Sequence, residues 1–110
     1  MIYVVEAFVE DYLHVLANVN LIKIFEDVYS DEHFLFISPE NHNNNVKRYF
    51  DSKKDKISFE TVTNLNNSPS SIYERITLIF SRIQRDYKLL RNTFKRSNDN
   101  DIIIVTHIHF

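Results

Sequence analysis

Two groups of residues have the types and spacing to do chemistry. Near the carboxyl end, His107 and His109 stand two apart in the run Asp101-Ile-Ile-Ile-Val-Thr-His-Ile-His-Phe110. After the first apolar run come Glu10, Asp11 and His14. Residues i and i+2 of a regular strand face the same side. His107 and His109 would then present two imidazoles together to a ligand, or simply be polar residues where a strand leaves the core. Glu10, Asp11 and His14 suit a helix start, where acidic groups meet the positive end of the backbone dipole. Their chemical role would be hydrogen bonding to a polar ligand, or general-base catalysis by one carboxylate or by His14. These five are the candidate substrate-binding residues, and no catalytic residue is singled out. Two histidines fall short of the three or four ligands that zinc takes. A third would have to come from His14, Glu10 or Asp11 through folding, so the sequence assigns no metal, and it assigns no cofactor. Glu6 is the odd residue of its apolar run, either paired or placed at a sheet end.

Composition removes several classes. The chain has 110 residues and no glycine. A P-loop or a G-x-G-x-x-G turn needs glycine so that backbone can approach phosphate, and both are excluded. The serines lack the glycine-flanked elbow of a nucleophile. With no cysteine there is no disulfide, thiol nucleophile or cysteine zinc site. The net charge of −2 argues against a general nucleic-acid binder. The opening Met-Ile-Tyr-Val-Val-Glu has no basic region of the signal-peptide kind. No apolar run approaches the ~20 residues of a membrane span, and a cytoplasmic location is expected.

The elements that must position these residues alternate. Residues 2–8 form a nearly continuous apolar run, the pattern of a strand covered on both faces. A helix is expected over 11–28, with Leu13, Leu16, Asn20, Ile24 and Val28 on one stripe. Val15, Val19, Ile22 and Phe25 make the next stripe, and so wide an apolar face implies more than one neighbour. His33–Ser38 is the second strand, stopped by Pro39. His42 falls in a polar loop or weak helix start, before a short helix over 45–50. Ile57–Val62 alternates like an edge strand. Ser71-Ile-Tyr-Glu74 is a capping box, and it opens a helix to about residue 95. Ile76, Phe80, Ile83, Tyr87, Leu90 and Phe94 form the apolar stripe of that helix. Its Arg75, Arg82, Arg85, Lys88, Arg91, Lys95 and Arg96 read as a solvated face, or as contact with anionic lipid headgroups. The last ten residues read as a fully buried strand.

The order β-α-β-α-β-α-β implies an α/β, doubly wound, three-layer Rossmann-like domain over residues 1–110. Its parallel sheet should run 3-2-1-4, with strands one and four neighbours at the centre. Ligands bind beyond the carboxyl ends of such strands where the strand order reverses. That point would collect Phe8–His14, Ser38–Asn41 and Thr106–Phe110.

A strand of the form Asp-Ile-Ile-x-Val-x-His, carried by Asp101, Ile102, Ile103, Val105 and His107, follows a long helix here. It resembles the fourth strand in the amino-terminal domain of GT-B-type glycosyltransferases. The opening IYVVEAF and EDYLHVLANVNLIKIF are similar to the start of such enzymes. The resemblance implies an acceptor-side lobe of an enzyme making a surface polysaccharide or glycolipid. A nucleotide-sugar donor would be held by a second lobe outside this chain. The chain would then be a truncated amino-terminal part, inactive alone. The first loop, Val9–Tyr12, has no glycine, which departs from the family and removes the basis for donor-phosphate contact there. Peripheral contact with the inner face of the membrane would use residues 71–96. The alternative is a stand-alone α/β binding or regulatory module, dimeric through an open sheet edge or the long helix. A phosphoacceptor receiver is a poor version of it, because the first strand lacks the adjacent acidic pair.

Overall fold

The computed structural model describes residues 1–7, 12–51, 54–65 and 68–107. Seven elements follow in order: β1 (Ile2–Glu6), α1 (Tyr12–Val28), β2 (Phe34–Pro39), α2 (Glu40–Lys47), β3 (Ile57–Val62), α3 (Ile72–Arg96) and β4 (Ile102–His107). All strand pairs are parallel, in the order β3-β2-β1-β4. The α/β class and the strand order are those expected from the alternation of elements. The third crossover, through α3, carries the chain from one edge strand, β3, to the other, β4.

The pleat sends alternate side chains to opposite faces. One face of the sheet carries Ile2, Val4, Phe34 and Phe36, and α1 and α2 cover it with Val15, Val19, Ile22 and Val46. The other carries Tyr3, Val5 and Ile37 beside Leu89 of α3. All five residues of β1 are buried, as its continuous apolar run predicts for a strand covered on both faces. β3 is half-buried and edge-like, again as expected.

Four expectations need correction. β4 is not fully buried: it lies at the sheet edge, and Val105 is 41% exposed. On α1 only one of the two apolar stripes packs, because the sheet and α2 cover a single side. Val15, Val19 and Ile22 are buried, while Leu13, Leu16, Ile24 and Val28 stay exposed. α2 begins at Glu40, directly after β2, and ends at Lys47, so it starts earlier than the helix expected over 45–50 and stops short of it. Asn43 explains the early start. Its amide donates to the carbonyls of Ser38 and Glu60, both at 3.0 Å, and pins the helix across the ends of β2 and β3. Of the two readings of His42, the helix start holds and the polar loop does not: His42 is a buried residue of α2.

The fourth correction concerns α3. Its predicted apolar stripe largely faces away from the sheet: Ile76, Phe80, Tyr87 and Phe94 are exposed. The buried residues are Asp86 and Thr93, with Leu89 between them in the core. Each precedes a member of the predicted stripe by one residue, so the helix is turned by about 100° from where hydrophobicity alone would set it. Length contributes as well. Twenty-five residues span roughly 37 Å, whereas six-residue strands span about 20 Å, so much of α3 overhangs the sheet. Polar ties hold it in this orientation. Arg82 Nε donates to the Leu65 carbonyl at 2.6 Å, and Arg85 Nη2 to the Ala7 carbonyl at 2.9 Å. Arg85 also donates to the Thr63 carbonyl and, through Nε, to Asp86. Arg96 binds both carboxylate oxygens of Glu60 and lies 5.5 Å over the Tyr3 ring. Three of the basic residues expected on a solvated face thus hold loops and strand ends. The capping box forms with one change. Glu74 N–H donates to Ser71 Oγ at 3.1 Å, but the Glu74 carboxylate accepts from Ser70, not Ser71.

Candidate functional site

The strand order reverses between β1 and β4, and the candidate site lies at their carboxyl ends. Its geometry begins with an irregularity. Val4 pairs with Ile104 and Val5 with Val105, but Glu6 pairs with His107. Thr106 is therefore an extra residue on β4, a β-bulge, and bulges re-aim the side chains that follow them. Regular alternation would send His107 to the α3 face with Ile103 and Val105. The bulge returns it to the face of Ile102 and Ile104, which is also the face of Glu6. Two contacts secure the irregular step: Thr106 Oγ1 donates to the Val5 carbonyl at 3.1 Å, and Ala7 N–H to the His107 carbonyl at 2.8 Å.

The first turns of α1 close the site from above. His14 Nδ1 lies 3.6 Å from Glu6 Oε1. The rings of His14 and His107 are 5.8 Å apart and tilted by 51°. Asn18, one helical turn after His14, is buried between Val15, Val19 and Ile22. Its Nδ2 donates to Glu6 Oε1 at 3.2 Å and to His42 Nε2 at 3.0 Å. Because the amide donates, Nε2 of His42 must be the unprotonated nitrogen, and the neutral ring carries its proton on Nδ1. His42 stacks on Phe36 at 5.6 Å. Burial, and next the nearby charge of His14, press its pKa down to about 4. It is a neutral support beneath the site at physiological pH.

Glu6, His14, Asn18 and His107 line a cleft of about 250 Å³, with Ala17 and Leu21 supplying an apolar side and Thr106 a hydroxyl. Glu6 is 3% exposed at its floor, and the His14 side chain is 33% exposed at its mouth. The arrangement can do two things. A carboxylate beside an imidazole can orient that imidazole as a proton acceptor. Two imidazoles and a carboxylate within reach of one point can also hold a metal ion.

Of the residues singled out by sequence, the fold brings His14 and His107 together. Glu10, Asp11 and His109 lie outside the described residues. Thr106 was expected at the strand-order reversal and lines the cleft, whereas sequence reasoning did not find Asn18 and His42 as members of the site. Glu6 had left a signal, a charge inside an apolar strand, and its reason is now visible: it faces the cleft from the last position of β1. Asn18 left a fainter one, a polar residue four after His14 on the inward stripe of α1.

No family model, curated protein or solved structure matches this chain.

Proposed function

We propose that the chain is the acceptor-side lobe of a glycosyltransferase building a surface polysaccharide or glycolipid, and that the cleft between β1 and β4 holds the sugar acceptor. One observation carries the reading: Glu6, His14 and His107, from three separate elements, converge on a cleft at the strand-order reversal. A sugar hydroxyl donates and accepts hydrogen bonds at once. The carboxylate, imidazoles and hydroxyl of this lining offer partners of both kinds. His14, steadied by Glu6, is placed to take the proton of an acceptor hydroxyl as it becomes a nucleophile. Glu10, Asp11 and His109, adjacent in sequence to β1, α1 and β4, are further ligand contacts in this proposal. The nucleotide-sugar donor belongs to a second lobe, so the chain by itself binds acceptor without transfer. No nucleic acid takes part.

Saturation-transfer NMR with a panel of mono- and disaccharides tests it. Saccharide signals should appear with the wild-type chain and fade in His14→Ala and His107→Ala. A panel with no binder, or binding that ignores both substitutions, removes the acceptor cleft.

The proposal includes a cytoplasmic location with contact to anionic lipid through α3. Exposed Ile72, Tyr73, Ile76 and Phe80 share that helix with exposed Arg75, Lys88, Arg91 and Lys95, a composition suited to lying in a headgroup layer. No described helix is long and apolar enough to cross a membrane. Co-sedimentation with phosphatidylglycerol vesicles, weakened by salt and absent with phosphatidylcholine alone, is the expected result. Equal binding to both vesicles, or to neither, counts against it.

A further inference from the structure

We infer that Glu6, His14 and His107 form a binding site for a divalent first-row transition metal ion of the zinc class. One ligand atom from each residue lies within 4.8 Å of the other two. The closest given approach, His14 Nδ1 to Glu6 Oε1, is 3.6 Å. Ligands on a tetrahedral zinc with bonds of about 2.1 Å stand roughly 3.4 Å apart, so that pair already has the needed separation. Small rotations of two part-exposed imidazoles toward a buried carboxylate bring in the third ligand.

Three features set this cluster apart from a chance meeting of polar side chains. The first is the bulge: His107 reaches the Glu6 face only because Thr106 interrupts the alternation of β4. The second is Asn18, whose amide donates to Glu6 Oε1 at 3.2 Å. Carboxylate ligands are commonly held by such an outer hydrogen bond, which orients them toward the metal. The third is room. The cleft of about 250 Å³ leaves space for water or a ligand on the open positions that three protein ligands leave on zinc. The donor set decides the class of ion. Imidazole nitrogens suit zinc, iron, cobalt and nickel, whereas calcium and magnesium seek oxygen.

The inference stands on these positions and not on the acceptor reading, and a His14 that holds the ion does not also serve as the base of that reading. Its test is a titration of chelator-treated chain with zinc chloride by calorimetry, with cobalt(II) visible absorption reporting low coordination number. Saturable binding is expected. His14→Ala and His107→Ala should each weaken it by more than about 100-fold, and Asn18→Ala by about 10–100-fold, the range for outer partners. His33→Ala should change nothing, since His33 bonds Ser58 beside the amino end of β2. Circular dichroism checks that each variant is folded. His14 sits at a part-exposed helix position, so its variant keeps the test decisive if Glu6→Gln fails to fold. A wild-type chain without zinc affinity, or one whose affinity survives both His14→Ala and His107→Ala, overturns the site. Saccharide binding that persists in chelator while zinc binding fails overturns the metal site and leaves the acceptor cleft standing.

Discussion

On one side of the sheet, α1 and α2 lay Val15, Val19, Ile22 and Val46 against Ile2, Val4, Phe34 and Phe36, all closed to solvent. On the other, α3 meets Tyr3, Val5 and Ile37 with Leu89, between buried Asp86 and Thr93, and turns Phe80 and Phe94 outward. Both sides are helices laid on the same four strands. They differ in what fixes the helix. Apolar packing sets α1, and Val46 with the amide bonds of Asn43 sets α2, while arginine hydrogen bonds to the carbonyls of Ala7, Thr63 and Leu65 help to set α3. The site is built on the first side. Dense packing and the Asn18 amide fix the buried Glu6, while the part-exposed His14 and His107 keep room to turn toward it.

The contrast can be broken most forcefully by truncating phenylalanines. Phe36→Ala should cost about 3–5 kcal/mol, because Phe36 is fully buried against His42 and Phe59. Phe80→Ala, on the outward stripe of α3, should stay within about 0.5 kcal/mol. Urea denaturation measures both, and equal losses would mean that α3 packs its apolar stripe in solution. Next in size is Asp86→Ala. It strips the carboxylate from Arg85 in a pair where Asp86 is 0% and Arg85 11% exposed. A loss of about 3 kcal/mol is expected from an uncompensated buried charge. A loss under about 0.5 kcal/mol would show the polar ties of α3 to be dispensable.

The site side has its own pH signature. The folded pKa of His42, about 4, lies below its ordinary 6.5. Between those values the unfolded ring takes up a proton that the folded ring does not. Stability is therefore full above pH 6.5, declines as pH falls, and has lost this contribution near pH 4. The loss should be at most about 3 kcal/mol. Denaturation midpoints across that window should flatten in His42→Gln, and an unchanged slope would place the titration elsewhere. Smallest is Thr106→Val, which removes the hydroxyl bond to Val5 and should cost about 1 kcal/mol. If His107 keeps its chemical shift and zinc affinity in that variant, the bulge holds without the hydroxyl.

Much of this was legible in the chain. Ile2–Glu6 and Ile57–Val62 read correctly as a covered and an edge strand, because burial on two faces or one leaves different apolar patterns. Ser71 and Glu74 marked a helix start through the chemistry of unpaired amides. The candidate site was legible only in part. The expected strand order brought the segments of His14 and His107 to one end of the sheet, yet nothing in the spacing said that the two side chains would face each other across Glu6. Glu6 stood out as an anomaly without an assigned partner. His42, among asparagines, looked like loop because the amide bonds that Asn43 makes across β2 and β3 exist only once those strands are adjacent.

Local sequence by itself determined the element order, the parallel class and the strand order, since each follows from periodicity, capping and crossover rules acting over short range. Tertiary structure alone decided which stripe of α3 meets the sheet, and that Thr106 bulges so that His107 shares a face with Glu6. Both outcomes depend on neighbours far away in sequence, Ala7 against Arg85 at a separation of 78 and Val5 against Thr106 at 101. A helical rotation or a one-residue register step leaves the local pattern unchanged, so only packing could choose between them.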